Sequence, residues 1–182
     1  MRITVVAALF LAAAIAAAVG SATVRPSITQ GSIAHTRLGL AEDAYRTLLG
    51  APVAKETLDA PENWWRLTFS KRKLNVYFDE SNTGQVVTTW NKAYRTKAKV
   101  GPCSTIKRLK KAYGKSLRPS KFNVVDGVVY AWRVGKNLLF ASNNHRTVEA
   151  VALYNGSDPN VNRPGGSLSL AGFIALNEAH CR

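Results

Sequence analysis

Leu38-Gly39-Leu40-Ala41-Glu42-Asp43-Ala44-Tyr45-Arg46-Thr47-Leu48-Leu49-Gly50 sets the pattern of the chain. Leu40 or Ala41, Ala44, Tyr45, Leu48 and Leu49 recur at helical spacing. Glu42 and Asp43 fall in the first turn, where free backbone amides favour negative charge. Gly50 can take the left-handed position that ends a helix, and Pro52 blocks continuation. The spacing predicts a helix of roughly ten residues, too short to hold by itself in water. It needs a surface to pack against.

That surface follows directly. Trp65, Leu67 and Phe69 alternate with Arg66, Thr68 and Ser70, and Leu74, Val76 and Phe78 alternate with Asn75, Tyr77 and Asp79. A period of two gives each segment one apolar face, the mark of a strand. Asn82-Thr83-Gly84 reads as a tight turn, and Gln85 to Asn91 as a third strand rich in β-branched residues. The unit is helix, strand, strand, strand, antiparallel.

A second unit repeats this order. Ser104 fits the helix N-cap, with Cys103 or Thr105 as alternatives. Ile106, Leu109 and Tyr113 share one face, and Gly114 closes the helix as Gly50 does. Strands are predicted at 121–125 and 128–134, joined by the hairpin signal Asp126-Gly127, and then at 138–142 and 147–154. Gly50 matches Gly114 at an offset of 64, whereas Phe78 with Phe140 and Val86 with Val148 match at 62. A two-residue slip in a loop would account for the change. The expected fold class is α+β, with two tandem modules, each a short helix followed by a small antiparallel sheet. The divisions are 1–20 signal peptide, 21–37 flexible lead-in, 38–96 module 1, 97–155 module 2, and 156–182 loop and C-terminal tail. Within the tail, 168–176 reads as a last strand or a short buried helix.

The phrases Gly39-x10-Gly50 and Gly101-x12-Gly114 resemble a small recurring module of the SmpA/OmlA-type outer-membrane assembly lipoproteins and of the β-lactamase inhibitor protein family. There a glycine opens a short helix, a second closes it, and an antiparallel sheet follows. The inhibitor family is similar in having two such modules in tandem. The resemblance spans 38–154 and implies the fold and a protein-binding role, with no residue-by-residue site. Pro102 and Cys103 depart from the module's pattern, and no lipid-bearing cysteine is present.

The ends and the composition bound the setting. Met1-Arg2 precedes an apolar run, Ile3 to Val19, in which Thr4 is the one polar residue, followed by Gly20-Ser21-Ala22. This is the layout of a secretory signal peptide cut after Gly20 or Ala22. The run also approaches the length of an uncleaved membrane anchor. The expected location is secreted or extracytoplasmic, with association to the envelope as one form of it. The net charge is +14. Such a charge favours anionic partners: an acidic protein, an anionic wall polymer or a membrane surface. Nucleic acid is not an expected partner of an exported chain. Two cysteines, Cys103 and Cys181, are expected to form one disulfide.

Catalytic chemistry finds little support. His35, His145 and His180 are far apart in sequence, without metal-ligand spacing. No phosphate loop, nucleophile elbow or Ser-x-x-Lys motif occurs. No catalytic residue, metal or cofactor is expected. A secreted enzyme is the alternative, using dispersed histidines or Cys103, whose place beside a helix N-terminus and near Lys107 and Arg108 could activate a thiol. The leading expectation is a binding protein. Its basic face would be Lys107, Arg108, Lys110, Lys111, Lys115 and Arg118, with Lys121 continuing the run and no acid offsetting it. Trp64 and Tyr77 are the candidate exposed aromatic anchors, because bulky aromatics dominate contact surfaces. A non-specific binder of anionic wall polymer or membrane is the other alternative.

Overall fold

The computed structural model describes residues 27–58, 63–124, 127–155 and 181. The apolar run at 3–19, both cleavage positions, the segment 168–176 and His180 lie outside these residues. Module 1 contains α1 (Glu42–Leu49), β1 (Ala54–Thr57), β2 (Trp65–Phe69), β3 (Leu74–Phe78) and β4 (Gly84–Thr89). Module 2 contains α2 (Ile106–Tyr113), a 3-10 turn (Gly114–Ser116), β5 (Leu117–Val124), β6 (Gly127–Val134), β7 (Leu138–Ser142) and β8 (Ala150–Tyr154). The eight strands form one antiparallel sheet in the order β1-β2-β3-β4-β8-β7-β6-β5. Module 1 therefore has four strands rather than the expected three, and module 2 has the four expected. The additional strand in module 1 is the short, polar β1, which has no apolar alternation to announce it. In module 2, β5 begins four residues before the expected start and runs through Pro119, which an edge strand tolerates.

The repeat is closer than the sequence reading allows. Gly39 donates its N–H to the Gly84 carbonyl, and Gly84 returns one to Leu40. Cys103 and Val148 exchange the same way, with Val148 donating to Ser104. The bridge Ala41–Thr83 recurs as Thr105–Thr147. Leu74 pairs Thr89 as Leu138 pairs Leu153. Every one of these matches has the offset of 64, so the equivalent of Val148 is Gly84 and not Val86. β2 matches β6 at 65 instead, because between equivalent pairs the β5–β6 hairpin is one residue longer than the β1–β2 connection and the β6–β7 turn one residue shorter than the β2–β3 turn. At the centre of the sheet Thr88 pairs with Ala152, its own equivalent, which places a pseudo-two-fold axis there.

Both helices pack on one face of the sheet. Tyr45 from α1 and Ile106 and Leu109 from α2 join Leu67, Phe69, Leu74, Val76, Phe78, Val87, Trp132, Phe140, Val151 and Leu153 in a single core. Gly50 and Gly114 end the helices at φ of 90° and 48°, each donating its N–H back to the helix. The N-cap of α2 is Thr105, whose hydroxyl accepts from the Arg108 amide, rather than Ser104. The Ser104 hydroxyl instead accepts from Gly101.

The second face of the sheet is apolar as well. Trp64, Tyr77, Val86, Val129, Ala141, Ala152 and Tyr154 are buried there. Trp64 and Tyr77 are therefore not exposed anchors, and that expectation is corrected: Trp64 is 6% and Tyr77 0% exposed. An alternating strand hides only one face from solvent unless the other is covered too, and here both are buried. The flexible lead-in is corrected over its described part. Ile28 and Ile33 enter the helix-side core, and Ile28 donates its N–H to Arg95. The side chain of Gln30 donates to the Val134 carbonyl and accepts from the Asn137 amide. Residues 27–36 are thus a strap that precedes module 1 and fastens onto the β6–β7 turn of module 2.

Candidate functional site

The corner where α2 meets the 143–147 turn carries a run of exposed cations. Ile106 and Leu109 turn into the core, which forces Lys107, Arg108, Lys110 and Lys111 outward, and all four are exposed. None of them joins an ion pair among the described residues, where the salt bridges are Arg46–Glu42, Lys55–Glu42 and Arg66–Glu56. Arg95 stands close enough to feel this charge. Burial first, and then the Arg108 charge, hold its guanidinium below its ordinary value. Lys92, Lys97 and Lys99 are exposed on the same connecting loop.

The expected basic face is only partly contiguous. Lys115, on the 3-10 turn, is exposed beyond the end of α2. Arg118 does not belong with the helix cations. Leu117 packs toward the helix-side core, and Arg118, one residue on, pairs across with Arg133 on the opposite face of the sheet. Lys121 pairs with Tyr130, on the helix side.

Sequence reasoning weighed His145 only as a dispersed histidine in a polar turn and did not single out Arg146. The turn is held from beneath. Glu149, buried, accepts from the Asn143 amide and the Asn144 side chain, and Asn144 Oδ1 accepts from the amides of Arg146 and Thr147. His145 has φ +55°, and its amide donates to the Ser142 hydroxyl. Its ring packs 4.4 Å from Tyr130 and 5.6 Å from Trp132 between centroids. Arg146 accepts from the Ile106 amide through its carbonyl, which ties the turn to the first residue of α2. Between the two elements is an open cleft of about 520 Å³, lined by Thr105, Ile106, Lys107, Lys110, His145 and Arg146. The signal for this meeting was present in the sequence only as the match of Thr83 with Thr147, which the assumed slip obscured.

Cys103 and Cys181 form a disulfide, as expected. This removes the alternative in which Cys103 is a free nucleophile. Among the described residues no three His, Cys, Asp or Glu side chains are grouped to hold a metal ion. Nor is any described helix long and apolar enough to cross a membrane. The chain matches no family model, no curated protein and no solved structure in comparisons with known proteins.

Proposed function

We propose that the chain is an exported, non-catalytic binding protein that contacts an acidic protein partner through the exposed cations of α2. One observation carries this reading. Two helices pack alike on the same sheet, yet α1 carries Glu42, Asp43 and a single Arg46, whereas α2 carries four cations and no acid. The fold does not demand the charge of α2, because α1 performs the same packing without it. Unpaired like charges on one helix repel by a few tenths of a kcal/mol per pair, so their retention favours a use outside the fold. The export half is supported by the signal-like N-terminus and by the disulfide, since such bonds persist in oxidising compartments. The tandem-module resemblance adds to the protein-binding side.

The test is cross-linking capture from native envelope and medium, with the processed protein run beside the variant Lys107→Gln, Arg108→Gln, Lys110→Gln, Lys111→Gln. One acidic protein enriched by the native chain and lost with the variant is the expected result. The same protein captured by both would remove α2 from the contact. Recovery of wall polymer or lipid alone, with steep salt dependence, would replace the specific partner by charge attraction.

A further inference from the structure

We infer that the cleft between α2 and the 143–147 turn is a discrete seat for a doubly charged tetrahedral oxyanion, the chemistry of a phosphate or sulfate group. The inference deepens the binding role proposed above and rests on it, since such a group would be carried by the partner. Lys107, Lys110 and Arg146 converge on the cleft, and no carboxylate lines it. Three cations from two elements supply both charge and donors, and Arg can meet an oxyanion with two parallel N–H groups. The helix terminus itself is not the source of affinity. The Ile106 amide is committed to the Arg146 carbonyl and the Arg108 amide to Thr105.

Two further features separate this cleft from a diffuse basic surface. The first is preorganisation. The turn is pinned by Asn144 and Glu149, and His145 is packed against Tyr130 and Trp132, so the cleft wall is set before any ligand arrives. The second is the contrast with module 1. At the offset of 64, Lys107 corresponds to Asp43, Arg146 to Asn82 and Lys110 to Arg46, whose charge is met in module 1 by Glu42. The charge at this corner is therefore balanced in module 1 and unbalanced in module 2, while the backbone bridge between helix and turn is the same. The same corner was built twice and made cationic once.

The source of the group, a free anion or one borne by a macromolecule, is separated by the probe. Inorganic phosphate, sulfate and chloride are titrated into the oxidised, processed protein and followed by amide chemical shifts. Saturable shifts at 105–107 and 143–147 are expected for phosphate and sulfate and not for chloride. Arg146→Gln should weaken phosphate binding about tenfold, as loss of one charge-assisted contact does. The pair Arg108→Gln, Lys111→Gln, on the same helix but outside the cleft, should change it less than twofold. Unchanged melting temperatures exclude misfolding as the cause. Equal weakening by both variants, or no saturation by either anion, overturns the seat. The quadruple capture variant also removes Lys107 and Lys110 from the cleft, so Arg146→Gln and the pair Arg108→Gln, Lys111→Gln are run in the same capture to separate the two readings. If capture succeeds and survives Arg146→Gln while phosphate fails, the partner binds through α2 without the seat. If Arg146→Gln abolishes capture as well, the anion is one the partner bears.

Discussion

Glu42 is the side chain that fastens α1 to the sheet. It is nearly buried and accepts from Arg46, Lys55 and the Trp65 indole. Burial pushes its carboxyl up, but the donors of Lys55, Arg46 and Trp65 outweigh that and hold it below the usual carboxylate value. A lowered folded value means stability that is present at neutral pH and lost as pH falls through it. Glu42→Gln should therefore cost about 1–2 kcal/mol near pH 7, modest because Arg46 and Lys55 are partly exposed. The difference from the native chain should close in acid, as denaturant melts across pH would record. Glu149 behaves oppositely. Burial raises it, with the Asn143 amide opposing, so the folded chain holds that proton more tightly. Its contribution is full below the unfolded value and declines as pH rises toward the raised one. Glu149→Gln should flatten that decline. The two carboxyls thus pull the pH profile in opposite directions. A sharper residue-level test concerns Tyr45 and Gly84. A Cβ on Gly84 would collide with the Tyr45 hydroxyl and the ring edge that bears it. The equivalents in module 2 are Leu109 and Val148, both fully buried. Gly84→Val alone should cost more than 3 kcal/mol through overpacking, and Tyr45→Leu alone about 2–4 through the void and the lost bond to the Arg37 carbonyl. Together they import the packing of module 2 and should recover at least about 1.5 kcal/mol of that sum in a double-mutant cycle.

Among the elements, those with a strong period were legible and those without were not. α1, α2, β2, β3 and β7 follow from apolar spacing alone, within a residue or two. β1 was missed because Ala54-Lys55-Glu56-Thr57 is held by pairing with β2 and not by burial of its own side chains. The strap was taken for a loose lead-in because two isoleucines five residues apart carry no period. Their partners are distant in the chain, and pairing information of that kind does not reside in local sequence. The cations of α2 were legible as a run. The cleft was not, since His145 and Arg146 are ordinary turn residues until the turn is placed against the helix. The strap yields its own prediction. Gln30 links to Val134 and Asn137 across more than 100 positions of chain, and Gly135 has φ +63° with no room for a Cβ beside the Gln30 amide. Gln30→Ala should cost roughly 1–2 kcal/mol by leaving these groups unpaired. Ile33→Ala, at a fully buried site, should cost roughly 2–5. Hydrogen exchange should show the β6–β7 turn losing protection in both variants, although neither residue belongs to module 2 by sequence.

For the molecule as a whole, closure depends on links between parts remote in the chain. The disulfide joins positions 78 apart, and the strap joins the first described residues to the second module. On the chain-entropy estimate, removing that cross-link should cost about 4.5 kcal/mol. Cys103→Ser, Cys181→Ser should therefore unfold at clearly lower denaturant than the oxidised protein, with an equal midpoint under reducing and non-reducing conditions. An unchanged midpoint would mean the link contributes nothing to the folded state. The pairing of Thr88 with Ala152 has a broader consequence. Two separate, identical modules meeting at that axis would have to accept every substitution on both sides at once. A cation gained at one corner would be mirrored at the other, and a Tyr–Gly contact could never face a Leu–Val one. Joining the halves in one polypeptide lifts that obligation, so one half can keep to the upkeep of the sheet while the other is free to specialise.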